Sequence, residues 1–156
     1  MTRVYLKPLK INNINKNYLS WFTEDLEYIE FSRNKINIET LRLYFNKVIK
    51  SKKKYIFLGI FTENKKVHIG NIKFEESNIK NKFYMGILIG NKKYTNKGLS
   101  KYIIKEAEKI FRKIFFLNKY YLIVDKKNEQ AIKAYKKNKF KIYKKNHKTY
   151  EMIKII

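Results

Sequence analysis

At 156 residues the chain has the length of one domain able to bury a real core, and its 44% hydrophobic content separates it from a disordered tail. No cysteine is present, which excludes disulfides, thiolate nucleophiles and cysteine-ligated zinc. Thirty-seven basic against thirteen acidic residues give a formal charge of +24, but Lys52 to Lys54, Lys65–Lys66, Lys92–Lys93, Lys126–Lys127, Lys136–Lys137 and Lys144–Lys145 scatter that charge along the whole chain. Together with the excess of Asn, Ile, Tyr and Phe, this dispersion reads as AT-rich coding and a solvated surface. Nucleic acid is therefore not the expected partner, although anionic ligands would benefit from the charge.

The start, MTRVYLKPLK, lacks the apolar core of a signal peptide, and no apolar run approaches the ~20 residues that span a bilayer. A cytoplasmic location without membrane insertion is the expectation. A strand at Val4 to Pro8 precedes two short helical stretches, Ile14 to Trp21 and Leu26 to Phe31, joined by the acidic turn Thr23-Glu24-Asp25. Thr40 opens a helix running to Lys50, on which Leu41, Tyr44, Phe45, Val48 and Ile49 recur at helical spacing. Strands follow at Tyr55 to Phe61, Val67 to Phe74 and Phe83 to Ile89, linked by hairpin-like turns at Asn64 to Lys66 and Asn78 to Asn81. A helix is expected from Leu99 to Phe116, a strand from Tyr120 to Val124, a helix from Glu129 to Lys137, and a final strand pair at Lys139 to Lys144 and Thr149 to Ile155. The chain has no internal repeat and no linker, so residues 1 to 156 read as one α+β domain in which an antiparallel meander feeds a strand-helix-strand unit.

The stretch Tyr84 to Tyr102, YMGILIGNKKYTNKGLSKY, carries the strongest chemical signal. Met85, Ile87 and Ile89 alternating with Gly86, Leu88 and Gly90 suit a strand buried on both faces, and Gly98 then opens an amphipathic helix. The unpaired N–H groups at such a helix start, with the partial positive charge of the aligned peptides, favour an anion.

With these residues placed, the chain resembles the GCN5-related N-acetyltransferase (GNAT) superfamily over essentially its whole length. The first matching stretch is Thr95-Asn96-Lys97-Gly98-Leu99-Ser100, which is similar to the family turn of Arg or Gln, two variable residues, Gly, a variable residue, then Gly or Ala. Only Gly98 matches strictly, since Thr95 replaces the Arg or Gln and Ser100 the last small residue, with Lys97 and Lys101 keeping positive charge nearby. The second is Asn128, Ala131, Tyr135 and Phe140, whose spacing resembles the family's strand-to-helix run. The usual Gly before Phe140 is Lys139 here, with Asn138 beside it expected to take the left-handed conformation. The third, Tyr18 to Phe22 with Phe31-Ser32-Arg33 and Thr40-Leu41, resembles the subgroup that acetylates nucleotide-linked amino sugars, of the pseudaminic acid type; ribosomal-protein acetyltransferases share its pattern.

The resemblance implies a mostly antiparallel twisted sheet with one splayed parallel strand pair and helices on both faces. It implies acetyl-CoA as co-substrate, no metal, and direct transfer of acetyl to an amine in a ternary complex. Residues 95 to 100 would hold the pyrophosphate, the backbone at Ile87, Leu88 and Ile89 would hold the pantetheine arm, an N–H at Ile87 or Leu88 would polarise the thioester, and Asn128 would bond the same arm. Asn128 equally suits a helix N-cap.

Tyr135 is the candidate general acid for the departing thiolate, its alternative being core packing. His68 and Glu75 are the candidate bases, against packing for the histidine, lysine pairing for the glutamate, and a water relay that needs no dedicated base. Trp21 and Arg33 would meet the acceptor by stacking and by bidentate contact with a diphosphate, against a core role for the indole. The acceptor class expected is an amino-sugar nucleotide, with a homodimer left open as the assembly. The alternatives are a protein N-terminus, with Asp25, Glu27 and Glu30 as its acidic groove, and a basic nucleic-acid-binding module on an inactive GNAT fold.

Overall fold

A computed structural model of the chain describes residues 3–23, 36–51 and 54–156. The expected helix from Leu26 to Phe31, Arg33, and the acidic positions Asp25, Glu27 and Glu30 lie outside the described residues.

Four strands, β1 (Val4–Pro8), β2 (Tyr55–Thr62), β3 (His68–Glu76) and β4 (Phe83–Ile89), pair antiparallel in chain order. A second antiparallel group joins β5 (Lys119–Asp125) to β7 (Thr149–Ile155) and β7 to β6 (Lys141–Lys145), so the last strand inserts between the two before it. The groups make one sheet of order β1-β2-β3-β4-β5-β7-β6. They meet only where β4 and β5 run parallel, and that junction has one paired position, Tyr84 with Tyr121.

Side-chain alternation distributes the apolar residues to two cores. Ile56, Leu58, Ile72, Phe74, Phe83, Met85 and Leu122 face α3 (Ser100–Phe115) and α4 (Glu129–Lys137), meeting Ile103, Ile104, Ala107 and Phe111 of the first and Ile132 of the second. Phe57 and Leu88 point the other way, toward Tyr18 and Trp21 of α1 (Lys16–Thr23) and Leu41, Phe45 and Val48 of α2 (Ile38–Ile49). Full burial of such side chains contributes about 1.5–3 kcal/mol each, which is what holds helices on both faces of the sheet.

Local chemistry sets the element ends. Helix α2 starts earlier than the expected Thr40, because Asn37 and Thr40 cap each other: Thr40 N–H donates to Asn37 Oδ1 at 2.8 Å and Asn37 N–H donates to Thr40 Oγ1 at 3.0 Å. Thr40 is thus the third helical residue. At the end of α4 the left-handed residue is Lys139 itself (φ 67°), while Asn138 keeps φ −88°, contrary to expectation. Phe140 N–H donates to the Tyr135 carbonyl and Lys139 N–H to that of Lys136, a paired termination that requires the left-handed turn at Lys139. Strand β6 consequently begins at Lys141 rather than Lys139.

The expectation that β4 is buried on both faces is not met: even in its first half only the α3-facing side chains are buried, while Tyr84 on the other face is half-buried. Phe83 and Met85 are buried, but Gly86 is exposed and Ile87 to Ile89 are half-buried, because beyond Tyr84 the strand has no neighbour on the β5 side.

Candidate active site

The parting of β4 from β5 leaves backbone hydrogen-bonding groups without strand partners. Gly90 N–H donates to the Ile69 carbonyl at 3.0 Å, and the β3–β4 register runs unbroken from Gly70↔Ile89 to Glu76↔Phe83. Alternation in an antiparallel ladder then turns the N–H and C=O of Gly86 and Leu88 toward β3, and those of Met85, Ile87 and Ile89 toward the gap. Of the two residues expected to polarise a thioester, Ile87 has its amide facing the gap and Leu88 does not. Ile89 presents a second amide there. Both strands of the cleft are rigid sheet, so its donors are fixed before any ligand arrives.

Beyond β4 the chain makes a turn that binds itself as far as Thr95 and then stops. Lys93 N–H donates to Asn91 Oδ1 at 3.1 Å, and Thr95 Oγ1 donates to the Lys92 carbonyl at 2.9 Å. Thr95 therefore braces the turn instead of offering a long side chain to an anion. Asn96 (φ 58°) and Gly98 (φ 70°) are both left-handed. A Cβ on Gly98 would meet nothing within 4 Å, so glycine is favoured there by backbone conformation alone, and the space beside it is open.

Buried Leu99 is the N-cap residue of α3 and makes no side-chain cap. The first bond of the helix comes from Ile103 N–H to the Leu99 carbonyl at 3.0 Å, and none of the loop or cap hydrogen bonds among the described residues uses the N–H of Gly98, Leu99 or Ser100. Lys97 and Lys101 are exposed beside them. This is an anion cradle of backbone donors and flanking cations.

Across the gap, Asn128 caps α4, its Oδ1 accepting from Ala131 N–H at 3.1 Å. The cap occupies only the oxygen, and Nδ2 has no partner among the described residues. Gln130 on the first turn of α4 donates to Asn96 Oδ1, so the loop after β4 and the helix after β5 touch at the mouth of the gap.

Tyr135 is half-buried, with its ring 5.5 Å from Phe140 in an edge-on contact. The same two residues share the backbone bond that ends α4, so the spacing from Asn128 to Phe140 is the geometry of one capped, terminated helix that aims one phenol. No hydrogen bond engages the phenol among the described residues, and burial pushes its pKa up to about 12.

The other candidates are placed elsewhere. His68 stacks on Phe61 (4.6 Å between centroids), lies edge-on to Trp21 (4.9 Å), and leaves Nε2 buried without a partner. Burial lowers its pKa to about 4, against a Gly70 backbone bond that raises it and with nearby Lys7 lowering it further. An imidazole so enclosed, with its pKa lowered, suits the packing alternative better than the role of a base. Glu75 pairs with Lys73 at 2.9 Å, and Lys73 also donates to the Tyr44 hydroxyl.

Trp21 is buried against Gly90, where an added Cβ would come within 2.2 Å of the indole, so it packs the core instead of presenting a face to an acceptor. Sequence reasoning passed over Tyr84, Glu151 and Lys82, which meet at the point where the strands part. Nothing in the sequence beside any of the three sets it apart from the many other tyrosines, lysines and acidic residues of the chain.

The open β4 edge and the uncapped α3 start that follows it offer backbone donors of the kind a coenzyme A thioester and its pyrophosphate would need. Among the described residues no group of His, Asp and Glu could hold a metal ion. The acetyltransferase (GNAT) domain family matches residues 3–141. No functionally curated protein matches the sequence. Among solved structures, a domain from Methanocaldococcus jannaschii superposes with a TM-score of 0.80 at 14% identity, covering 100% of both chains. The PaiA N-acetyltransferase of Thermoplasma acidophilum, in complex with coenzyme A, gives 0.76 at 24% identity over 99% of each chain. The spermidine N-acetyltransferase of Vibrio cholerae, in a dodecameric structure, gives 0.75 at 18% identity over 97% of this chain and 93% of that one. With the family domain spanning the cleft and both of its walls, the chain belongs to the GNAT family and is an acetyltransferase that uses acetyl-CoA.

Proposed function

We propose that the protein transfers acetyl from acetyl-CoA to the amine of a nucleotide-linked amino sugar by direct attack in a ternary complex. The observation that carries the transfer step is the free β4 edge, whose Ile87 and Ile89 amides face the gap and lead into the uncapped start of α3. Ile87 N–H would donate to the thioester carbonyl and stabilise the oxyanion that develops there, while the N–H groups of Gly98 to Ser100, with Lys97 and Lys101, would hold the pyrophosphate. Asn128 Nδ2 would bond the pantetheine arm.

Tyr135 keeps its proton at neutral pH and would supply it to the departing thiolate, whose ordinary pKa is ~8.5. Glu75 and Glu151, the carboxylates that β3 and β7 place on the α1/α2 face, are each paired with a lysine, so the amine proton would leave through water, which suits a sugar amine whose pKa its neighbouring oxygens have lowered.

Charge supports this choice of acceptor class. Glu75 and Glu151, on the sheet face opposite α3, are neutralised by Lys73 and Lys82 within a chain of net charge +24, which disfavours a polycation and favours a phosphate-bearing acceptor. A polyamine acceptor is the second reading, favoured by the likeness to the V. cholerae spermidine N-acetyltransferase. Arg33 and the acidic positions from Asp25 to Glu30 bear on the choice as sequence alone.

Calorimetry with acetyl-CoA tests the first half, and absence of binding would sink the enzyme reading. A panel of amino-sugar nucleotides, spermidine and N-terminal peptides tests the second. Turnover confined to spermidine or to peptides would overturn the sugar-nucleotide assignment. The dodecameric relative makes a homo-oligomer the assembly to seek by light scattering.

A further inference from the structure

The two antiparallel groups of the sheet share one β-bridge, so backbone pairing does little to fix the angle between them, and side chains that cross the junction, such as the core contact of Phe74 with Tyr120, must set it. Yet the proposed cofactor grip needs that angle, because Ile87 and Ile89 lie in the first group while Asn128 and Tyr135 follow β5 in the second.

Two side-chain clusters of the same composition meet at this junction, one on each face. On the α1/α2 face, Glu151 of β7 accepts through Oε1 from the Tyr84 hydroxyl at 2.7 Å and from Lys82 Nζ at 2.6 Å. On the opposite face, Glu108 of α3 accepts through Oε1 from the Tyr120 hydroxyl at 2.6 Å and from Lys154 Nζ at 2.5 Å. In the first cluster both donors come from the β1–β4 group and the carboxylate from the other. In the second the donors belong to β5 and β7, and the carboxylate belongs to α3, which packs on β1 and β3. Each cluster therefore crosses the junction, and they do so from opposite directions.

The burial of these groups makes the connection stiff. Glu151 is 6% exposed, Tyr120 is fully buried, and the Lys82 ammonium lies 4.7 Å from the ring centre of Tyr121 and 5.3 Å from that of Tyr84. Charge-assisted bonds are stronger when shielded, and losing one partner leaves a buried charge short of a donor.

We propose that the Tyr84–Glu151–Lys82 and Tyr120–Glu108–Lys154 clusters are a pair of braces that set the opening between β4 and β5, and so position the two walls of the cofactor cleft. The six are positioning residues. Their kinetic test rests on the acetyl-CoA reading of the cleft, and their structural test does not.

Tyr84→Phe and Tyr120→Phe each delete one crossing bond and keep the ring. Each is expected to raise KM for acetyl-CoA by roughly three- to tenfold with a smaller change in kcat. Because the intact brace still partly restrains the angle when the other is weakened, the double variant should raise KM by more than the product of the two single effects. Ile60→Val, a core truncation in the β1–β4 group, lowers melting temperature without touching either brace and should leave KM unchanged.

The structural arm uses the absence of native cysteine: nitroxides at Lys93→Cys and Lys133→Cys, exposed positions on the two walls, report the width of the opening by pulsed electron resonance. A broader distance distribution in either single variant, and more so in the double, is the expected result. An unchanged distribution, or a KM that moves equally in Ile60→Val, overturns the braces. A wild-type chain that fails to bind acetyl-CoA yet shows the broadening would remove the proposed function and leave the braces standing.

Discussion

Tyr135 and Lys139 show how one helix end serves both chemistry and stability. Tyr135 is fixed by its carbonyl, which accepts from Phe140 N–H, and by its ring contact with Phe140, so the phenol is held in place with no hydrogen bond among the described residues. Replacing it by Phe keeps the ring packing and removes only the hydroxyl that would supply the proton. Turnover should fall by roughly ten- to a thousandfold while calorimetric affinity for coenzyme A stays within a factor of about two. Unchanged turnover would remove Tyr135 from the reaction. Lys139 is left-handed at 67° because the bonds that end α4 demand it, and an L residue pays ~1 kcal/mol or more for that conformation. Lys139→Gly should therefore stabilise the fold by about 1 kcal/mol, seen as a melting temperature higher by about 2–4 °C, with kcat unaltered. A lower melting temperature would show that the lysine side chain contributes more than its backbone costs.

At the scale of elements, the turn between β4 and α3 joins conformation to binding. Gly98 has open space where a Cβ would go, so Gly98→Ala meets no protein atom and its cost is that of φ 70° alone, about 1 kcal/mol. If the turn answers by relaxing, its N–H groups lose their common aim. The variant is expected to raise KM for acetyl-CoA by roughly tenfold at little change in kcat, and steady-state kinetics that show no rise would dissociate the turn from the cofactor.

What could be read from the sequence here follows from chain distance. The β4-turn-α3 unit and the spacing of Asn128, Ala131, Tyr135 and Phe140 are contiguous, and apolar periodicity marks their elements directly. Where two local signals compete, the reading slips by a few residues. Thr40 looks like a cap because it is one partner of a reciprocal pair, and Asn138 looks like the left-handed residue because its intrinsic preference exceeds that of lysine. The bonds ending the helix outweigh that preference. Contacts between distant residues leave no such trace. Tyr84 and Glu151 stand 67 positions apart, and nothing near either predicts the bond between them. His68 reads as a base on chemistry alone, whereas its place among Tyr18, Trp21 and Phe61 exists only once α1 lies on the sheet.

For the whole molecule, that same histidine couples stability to pH against a background of uniform positive charge. The folded imidazole titrates at about 4 because burial disfavours its cation, whereas in the unfolded chain it titrates near its ordinary ~6.5. Between these values the unfolded state binds the additional proton, so stability is fully present above pH ~6.5 and is lost as pH falls toward about 4. The loss is bounded by about 3 kcal/mol and reduced by the solvent that reaches a half-buried ring. Protonation of carboxylates also removes stability in the lower part of this window, both by raising the charge of +24 and by weakening the pairing at Glu151. Burial of Glu151 works toward a higher pKa, but hydrogen bonds from Lys82 and Tyr84 outweigh it and hold the carboxyl below its ordinary value. Its stabilising contribution is therefore present above the usual carboxylate range and disappears as pH falls through the depressed value. Two controls separate the contributions. At ~1 M salt the Debye length shrinks to about 3 Å, so general repulsion between surface charges is screened while desolvation of a buried imidazole is not. His68→Phe keeps an aromatic ring against Phe61 and cannot titrate. Urea unfolding of wild type in high salt should lose stability from pH 6.5 to 4.5, and the variant should be markedly flatter over that interval. Parallel slopes in the two proteins would place the acid sensitivity in the carboxylates and remove the aromatic pocket around His68 as its source.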